Sequence, residues 1–90
     1  MKSTRISYLM TDEKAKKIFE FVAKKRTVTL GEIIKLFADW DPAETKSTLE
    51  RLESLELLSK TPASIEELST WFVTEPGLSA ERDLKRYGAS

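Results

Sequence analysis

The chain of 90 residues has no cysteine, no histidine, no asparagine and no glutamine. Without cysteine there is neither a disulfide framework nor thiol chemistry. Without cysteine and histidine together the usual zinc ligands are missing, so any bound ion would be a hard one held by carboxylates. The missing histidine also removes the commonest general base. The missing amides remove the usual bidentate readers of adenine. Glycine is scarce: Gly31, Gly77 and Gly88 lie far apart, so there is no glycine-rich phosphate loop. No apolar run approaches the roughly 20 residues of a membrane span. The opening MKSTRISYLM has neither the apolar segment nor the cleavage site of an export signal.

These absences predict a cytoplasmic protein without cofactor, metal or membrane contact, and they argue against an enzyme. Acid pairs such as Glu50–Glu53 and Glu66–Glu67 read as solvating charge, and no serine has a base to activate it unless a lysine served. Depletion of thermolabile Asn, Gln and Cys beside many Glu and Lys is the composition of proteins from hot organisms, and predicts a thermophilic source.

What is present is ordinary for a globular chain: 40% hydrophobic and 33% charged residues, enough for one domain over residues 1–90. The formal net charge is zero but unevenly spread. Residues 1–30 carry eight Lys/Arg against three Asp/Glu, residues 31–60 four against seven, and residues 61–90 three against five. A basic first third faces an acidic remainder.

Residues 1–10 include Ile6, Tyr8, Leu9 and Met10, too apolar for a free tail, and predict an N-terminal arm packed on the domain or on a second copy. Thr11 is the expected cap of a first helix, TDEKAKKIFEFVAKK, with Ala15, Ile18, Phe19 and Val22 on one face. Thr27–Thr29 suits one short strand. A second helix is expected from Leu30 to Ala38 on Ile33, Ile34 and Phe37, stopped by Asp39–Pro42. The next helix follows at once. Asp41 is its cap, Pro42 takes the first helical position, and Glu44 completes a capping box. Two helices joined by about four residues have helix-turn-helix geometry.

In that third helix Thr45, Thr48, Leu49, Leu52 and Leu55 face inward, while Lys46, Ser47, Glu50, Arg51 and Ser54 face outward. Leu57–Thr61 reads as a strand, Pro62 opens a loop, and LSTWFVT (residues 68–74) reads as the second strand of that pair. Ser64 and Glu67 repeat the capping spacing, so residues 64–67 would also suit a single helical turn. Trp71 and Phe72 must take opposite faces of the sheet. Trp40 is expected to pack over the junction of the two helices. A terminal helix from residue 78 to residue 90 would turn Leu84 and Tyr87 inward.

The sequence STLERLESLELL (residues 47–58) resembles the recognition helix and first wing strand of MarR-type and ArsR-type regulators, and VTEPG (residues 73–77) is similar to the close of their wing. The resemblance implies an α+β, mainly α, winged helix-turn-helix: a three-helix core, a two-stranded wing plus a short third strand, and a C-terminal helix. It departs in two places. The corner glycine of those families is Glu56 here, which costs ~1 kcal/mol in a left-handed conformation and predicts a corner of different shape. The wing, residues 61–79, has no Lys or Arg and holds Glu66, Glu67 and Glu75.

Function follows from fold and charge in opposite directions. The resemblance implies a DNA-binding transcriptional regulator with Lys46, Ser47, Glu50 and Arg51 toward the major groove of duplex DNA, and with Lys35 and Arg26 near the backbone. A second basic patch, Lys14, Lys17, Lys24 and Lys25, is either a solvated helix face or a phosphate contact outside the helix-in-groove mode. Residues 41–56 nevertheless hold five acids against Lys46 and Arg51. The alternative is a winged-helix interaction module that offers this acidic helix and wing to a protein partner. DNA binding is the reading adopted, with a homodimer built on the terminal segments.

Overall fold

The computed structural model describes residues 4–88, with side-chain surroundings up to residue 86. Its elements run α1 (Thr4–Thr11), α2 (Glu13–Lys25), β1 (Thr27–Thr29), α3 (Leu30–Leu36), α4 (Pro42–Ser54), β2 (Leu58–Thr61), a 3₁₀ turn (Glu66–Leu68), β3 (Thr70–Val73) and α5 (Glu75–Gly88). The architecture is α+β and mainly helical, as expected. The strand order is β1-β3-β2, antiparallel throughout, so β3 lies between the short strand and the other half of the wing.

The described part of the expected arm is a helix. Ile6 and Leu9, three residues apart, are buried, which seats α1 against α2 and α5. Thr11 does not cap the next helix. Its hydroxyl donates to Ser7 O at 2.9 Å, finishing α1, and Asp12, in extended backbone, accepts from Ala15 N at 3.1 Å instead. The capping box is also displaced. Thr29 and Glu32 form a reciprocal box at the start of α3. At α4 the Asp41 side chain accepts from Ala43 N at 3.3 Å, and the Glu44 carboxylate turns outward to Lys14 instead of closing a box. Helix α3 stops at Leu36, two residues short of expectation, with Phe37 as its C-cap.

The wing strand β3 begins at Thr70 rather than residue 68 because Leu68 closes the 3₁₀ turn, whose N-cap is Ile65 and not Ser64. Helix α5 starts at Glu75, three residues earlier than expected, because Thr74 Oγ1 accepts from Gly77 N at 3.0 Å and so caps it. Leu84 is buried as expected, whereas the expectation for Tyr87 falls outside the described side chains.

The core is one cluster built from every helix and the sheet, with Phe19, Ile18, Ile33, Leu49, Leu52, Leu57 and Leu58 fully buried. Trp71 pairs with Val28 on one side and Lys60 on the other, on the core face of the sheet, and Phe72 takes the opposite face, half-buried. Trp40 does lie over the helix junction. Its ring stacks on Phe37 at 4.5 Å between centroids, and Phe37 meets Phe21 of α2 edge-on at 6.1 Å.

Candidate nucleic-acid interface

Helix α4 is aimed by a buried stripe that the local sequence encodes and by a corner that tertiary contacts hold. Its buried stripe, Thr45, Leu49 and Leu52, recurs at helical spacing and fixes which residues face out. Its far end turns through Glu56, which holds φ 64°. The corner therefore keeps the left-handed conformation even without glycine, contrary to the expected change of shape. Tertiary contacts fix it there. Arg5 of α1 donates from Nε to Leu55 O at 2.6 Å and from Nη2 to Glu56 Oε1 at 2.8 Å. Thr74 Oγ1 lies 2.5 Å from Glu56 O and 3.1 Å from Leu57 O, and Thr74 N donates to Leu57 O. At Gly77 a side chain would not fit: a Cβ there would stand 2.2 Å from Leu57 O. The corner and the VTEPG segment are thus in direct contact, and together they fix the angle between α4 and the wing.

The outward face of α4 presents Ser47, Glu50 and Arg51 to solvent. Lys46 is half-exposed and leans away from that face onto the wing, where its ammonium pairs with Glu66. The hydrogen bond to Glu66 raises Lys46 above the usual lysine range, and the same bond holds the Glu66 carboxyl below the usual carboxylate range. Arg51 has no carboxylate within ion-pair distance among the described residues, and its guanidinium lies 5.9 Å from the Tyr8 ring centroid. Burial first, and the neighbouring Asp12 carboxylate second, push the Tyr8 phenol up. Tyr8, Asp12, Glu44, Ser47, Thr48 and Arg51 border a shallow depression of about 290 Å³ on this side.

The other expected contacts are more scattered. Lys35 is exposed in the last turn of α3. Arg26, the C-cap of α2 with φ 75°, is drawn toward α5 and stands 3.9 Å from Glu81. Lys14 pairs with Glu44 and sits 5.6 Å from the Trp40 centroid. Lys17 and Lys24 are exposed, and Lys25 lies 5.9 Å from the Phe21 centroid. Two contributors were missed in the sequence. Tyr8 reaches α4 only through tertiary packing, which no local pattern shows. Lys60 was placed in a wing strand, but its register opposite Trp71 brings it beside Lys46, Glu50 and Glu66, its ammonium 5.8 Å from the Trp71 centroid.

Among the described residues no group of acids is arranged to hold a metal ion, and no helix is long and apolar enough to cross a membrane.

Three helices with a wing hinged on the end of the third define a winged helix-turn-helix. No family model and no curated protein matches the sequence. Solved structures do match, MarR among them. A mutant of ZitR from Lactococcus lactis superposes with TM-score 0.70 at 19% identity, over 86% of this chain and 52% of that one. A mutant of MarR from E. coli, in complex with operator DNA, gives TM-score 0.74 at 16% identity, over 94% of this chain and 63% of that one. A transcriptional regulator homologue from Pyrococcus horikoshii gives 0.71 at 19% identity, over 97% of this chain and 93% of that one. The chain thus spans about half the length of ZitR and nearly all of the Pyrococcus protein.

Proposed function

We propose that this chain, as one winged-helix domain over residues 1–90, is a DNA-binding transcriptional regulator that lays α4 in the major groove. The observation that carries the reading is the superposition on MarR bound to operator DNA, over 94% of the chain. In that arrangement Ser47, Glu50 and Arg51 face the base edges, Arg51 as the cation of α4 that no carboxylate neutralises among the described residues. Arginine in that position suits guanine, and Glu50 would accept from cytosine. Lys46, once released from Glu66, and Lys35 supply phosphate contacts. Arg26 serves as a phosphate contact only if it leaves Glu81.

The proposed working form is a cytoplasmic, symmetric homodimer joined through α1 and α5, which pack against each other. Two copies of α4 would then reach successive major grooves roughly 34–36 Å apart. The lack of Asn, Gln and Cys supports a thermophilic source, and a melting temperature in the ordinary mesophilic range would contradict it.

A salt-titrated mobility shift with mixed genomic duplex fragments tests the DNA reading. Binding that weakens with salt, and that loses sequence preference in Arg51→Ala, is expected. No shift at low ionic strength removes the reading. Light scattering at high micromolar concentration tests the dimer, and a mass near the 10.3 kDa monomer contradicts it.

A further inference from the structure

We propose that the flank of α2 bearing Lys14, Lys17, Phe21, Lys24 and Lys25, with the turn that ends α3, is a docking surface for an acidic amphipathic protein segment. This surface is separate from the outward face of α4, and the inference does not rest on the DNA reading.

Helix geometry places these five positions within an arc of ~100°. The buried positions Ala15, Ile18, Phe19, Val22 and Ala23 occupy the neighbouring arc, and Glu13 and Glu20 lie beyond the lysines. The flank is continuous with the turn. Phe21 meets Phe37 edge-on at 6.1 Å, Phe37 stacks on Trp40, and Lys14 bridges from α2 to Trp40 and Glu44. All three rings are half-buried, and Leu36, just before Phe37, is 55% exposed. Lys17 and Lys24 are exposed and have no carboxylate within ion-pair distance among the described residues.

Apolar edges bordered by unneutralised lysines fit a partner that brings both apolar and acidic side chains. A helix with Leu or Phe on one stripe and Glu on its borders supplies both. A nucleic acid uses only half of this surface. Single-stranded bases need an open ring face, but Phe37 and Trp40 cover each other at an interplanar angle of 2° and lysine ammoniums stand over Trp40 and Phe21. A duplex backbone gains from the lysines and nothing from the rings. Charge complementarity combined with aromatic anchors therefore selects protein, in the pattern of an interface centre with a polar rim.

The test is a fluorescence-anisotropy titration of the full chain with a labelled synthetic peptide of roughly 18 residues, five helical turns. The peptide carries Leu and Phe at i, i+3, i+4 and i+7 among glutamates. Its control is a scramble of identical composition. Saturable binding, about tenfold tighter than the scramble and weakened at least about tenfold in Lys17→Glu/Lys24→Glu, supports the proposal. Both substituted lysines are exposed, so an unchanged melting curve separates lost binding from lost folding. Equal binding of peptide and scramble overturns it, because charge alone would then suffice. So does a double variant that binds as tightly as the parent. So does a parent chain that ignores the peptide while the double variant loses duplex DNA affinity, since the lysines would then be phosphate contacts.

Discussion

Helix α4 is held at its two ends by different kinds of contact. At the C-terminal end the restraint falls on backbone: Arg5 and Thr74 grip the carbonyls of Leu55, Glu56 and Leu57, and Gly77 packs directly on Leu57 O. At the N-terminal half it falls on long, partly exposed side chains, Lys14 to Glu44 and Lys46 to Glu66. Backbone hydrogen bonds and close packing allow one geometry, whereas exposed ion pairs are weakened by water and salt and can exchange partners. The end that sets the fold is thus rigid. The end that would meet a ligand is held by contacts a phosphate or carboxylate can replace.

Removing the packing beneath the rigid end should have the largest effect. Leu52→Ala, at a fully buried site in the last turns of α4, is expected to cost about 2–5 kcal/mol in urea unfolding. Gly77→Ala comes next, about 1–3 kcal/mol, because the new methyl group meets a backbone oxygen that cannot rotate away. A value near zero would show that α5 slides freely on the corner, and the contrast between the two ends would fail.

Smaller changes sharpen the contrast. At Glu56 the left-handed backbone costs a residue with a Cβ roughly 1–2 kcal/mol, partly offset in glycine by the freedom it gains when unfolded. Comparing Glu56→Gly with Glu56→Ala removes the Arg5 contact from both, and the glycine variant should be more stable by about 1 kcal/mol. Equal stabilities would mean that the φ of 64° carries no strain.

At the exchangeable end, Glu66→Gln should leave stability nearly unchanged and tighten duplex DNA binding about two- to threefold, with a salt slope steeper by about one ion. Lower affinity would show that Glu66 positions Lys46 and does not compete for it.

The weakest effect is on pH dependence. Because Glu66 is held below the carboxylate range, its share of the contact is present above that range and lost as pH falls through its lowered value. Because Lys46 is raised, its share is present below the lysine range and lost as pH rises through its raised value. In Lys46→Met the Glu66 carboxyl, followed by NMR, should titrate higher. An unmoved titration would place the cause elsewhere.

Much of the fold was legible because its signals are local. The leucine spacing of residues 49–55 fixes a helix face, Pro42 fixes a helix start, and strand alternation puts Trp71 and Phe72 on opposite sides. The errors arose where one local signal had two possible partners. Thr11 had its own preceding turn to bond, so Asp12 became the cap. Glu44 had Lys14 within reach, so no reciprocal box closed at Asp41. The candidate site was less legible, since exposure of a lysine in a helix pattern does not tell whether an acid from the wing lies beside it.

The sequence by itself determined which residues turn inward, where helices α2 to α5 lie to within a few residues, and that residues 61–79 of the wing carry no cation. Hydrophobic periodicity and caps act over a few residues, so they are written in order along the chain. Only the tertiary structure decided that Glu56 stays left-handed, that Arg5 and Thr74 hold the corner, and that Lys46 is neutralised while no carboxylate among the described residues neutralises Arg51. Those outcomes depend on contacts between residues 17 to 51 positions apart, and a spacing rule does not reach that far.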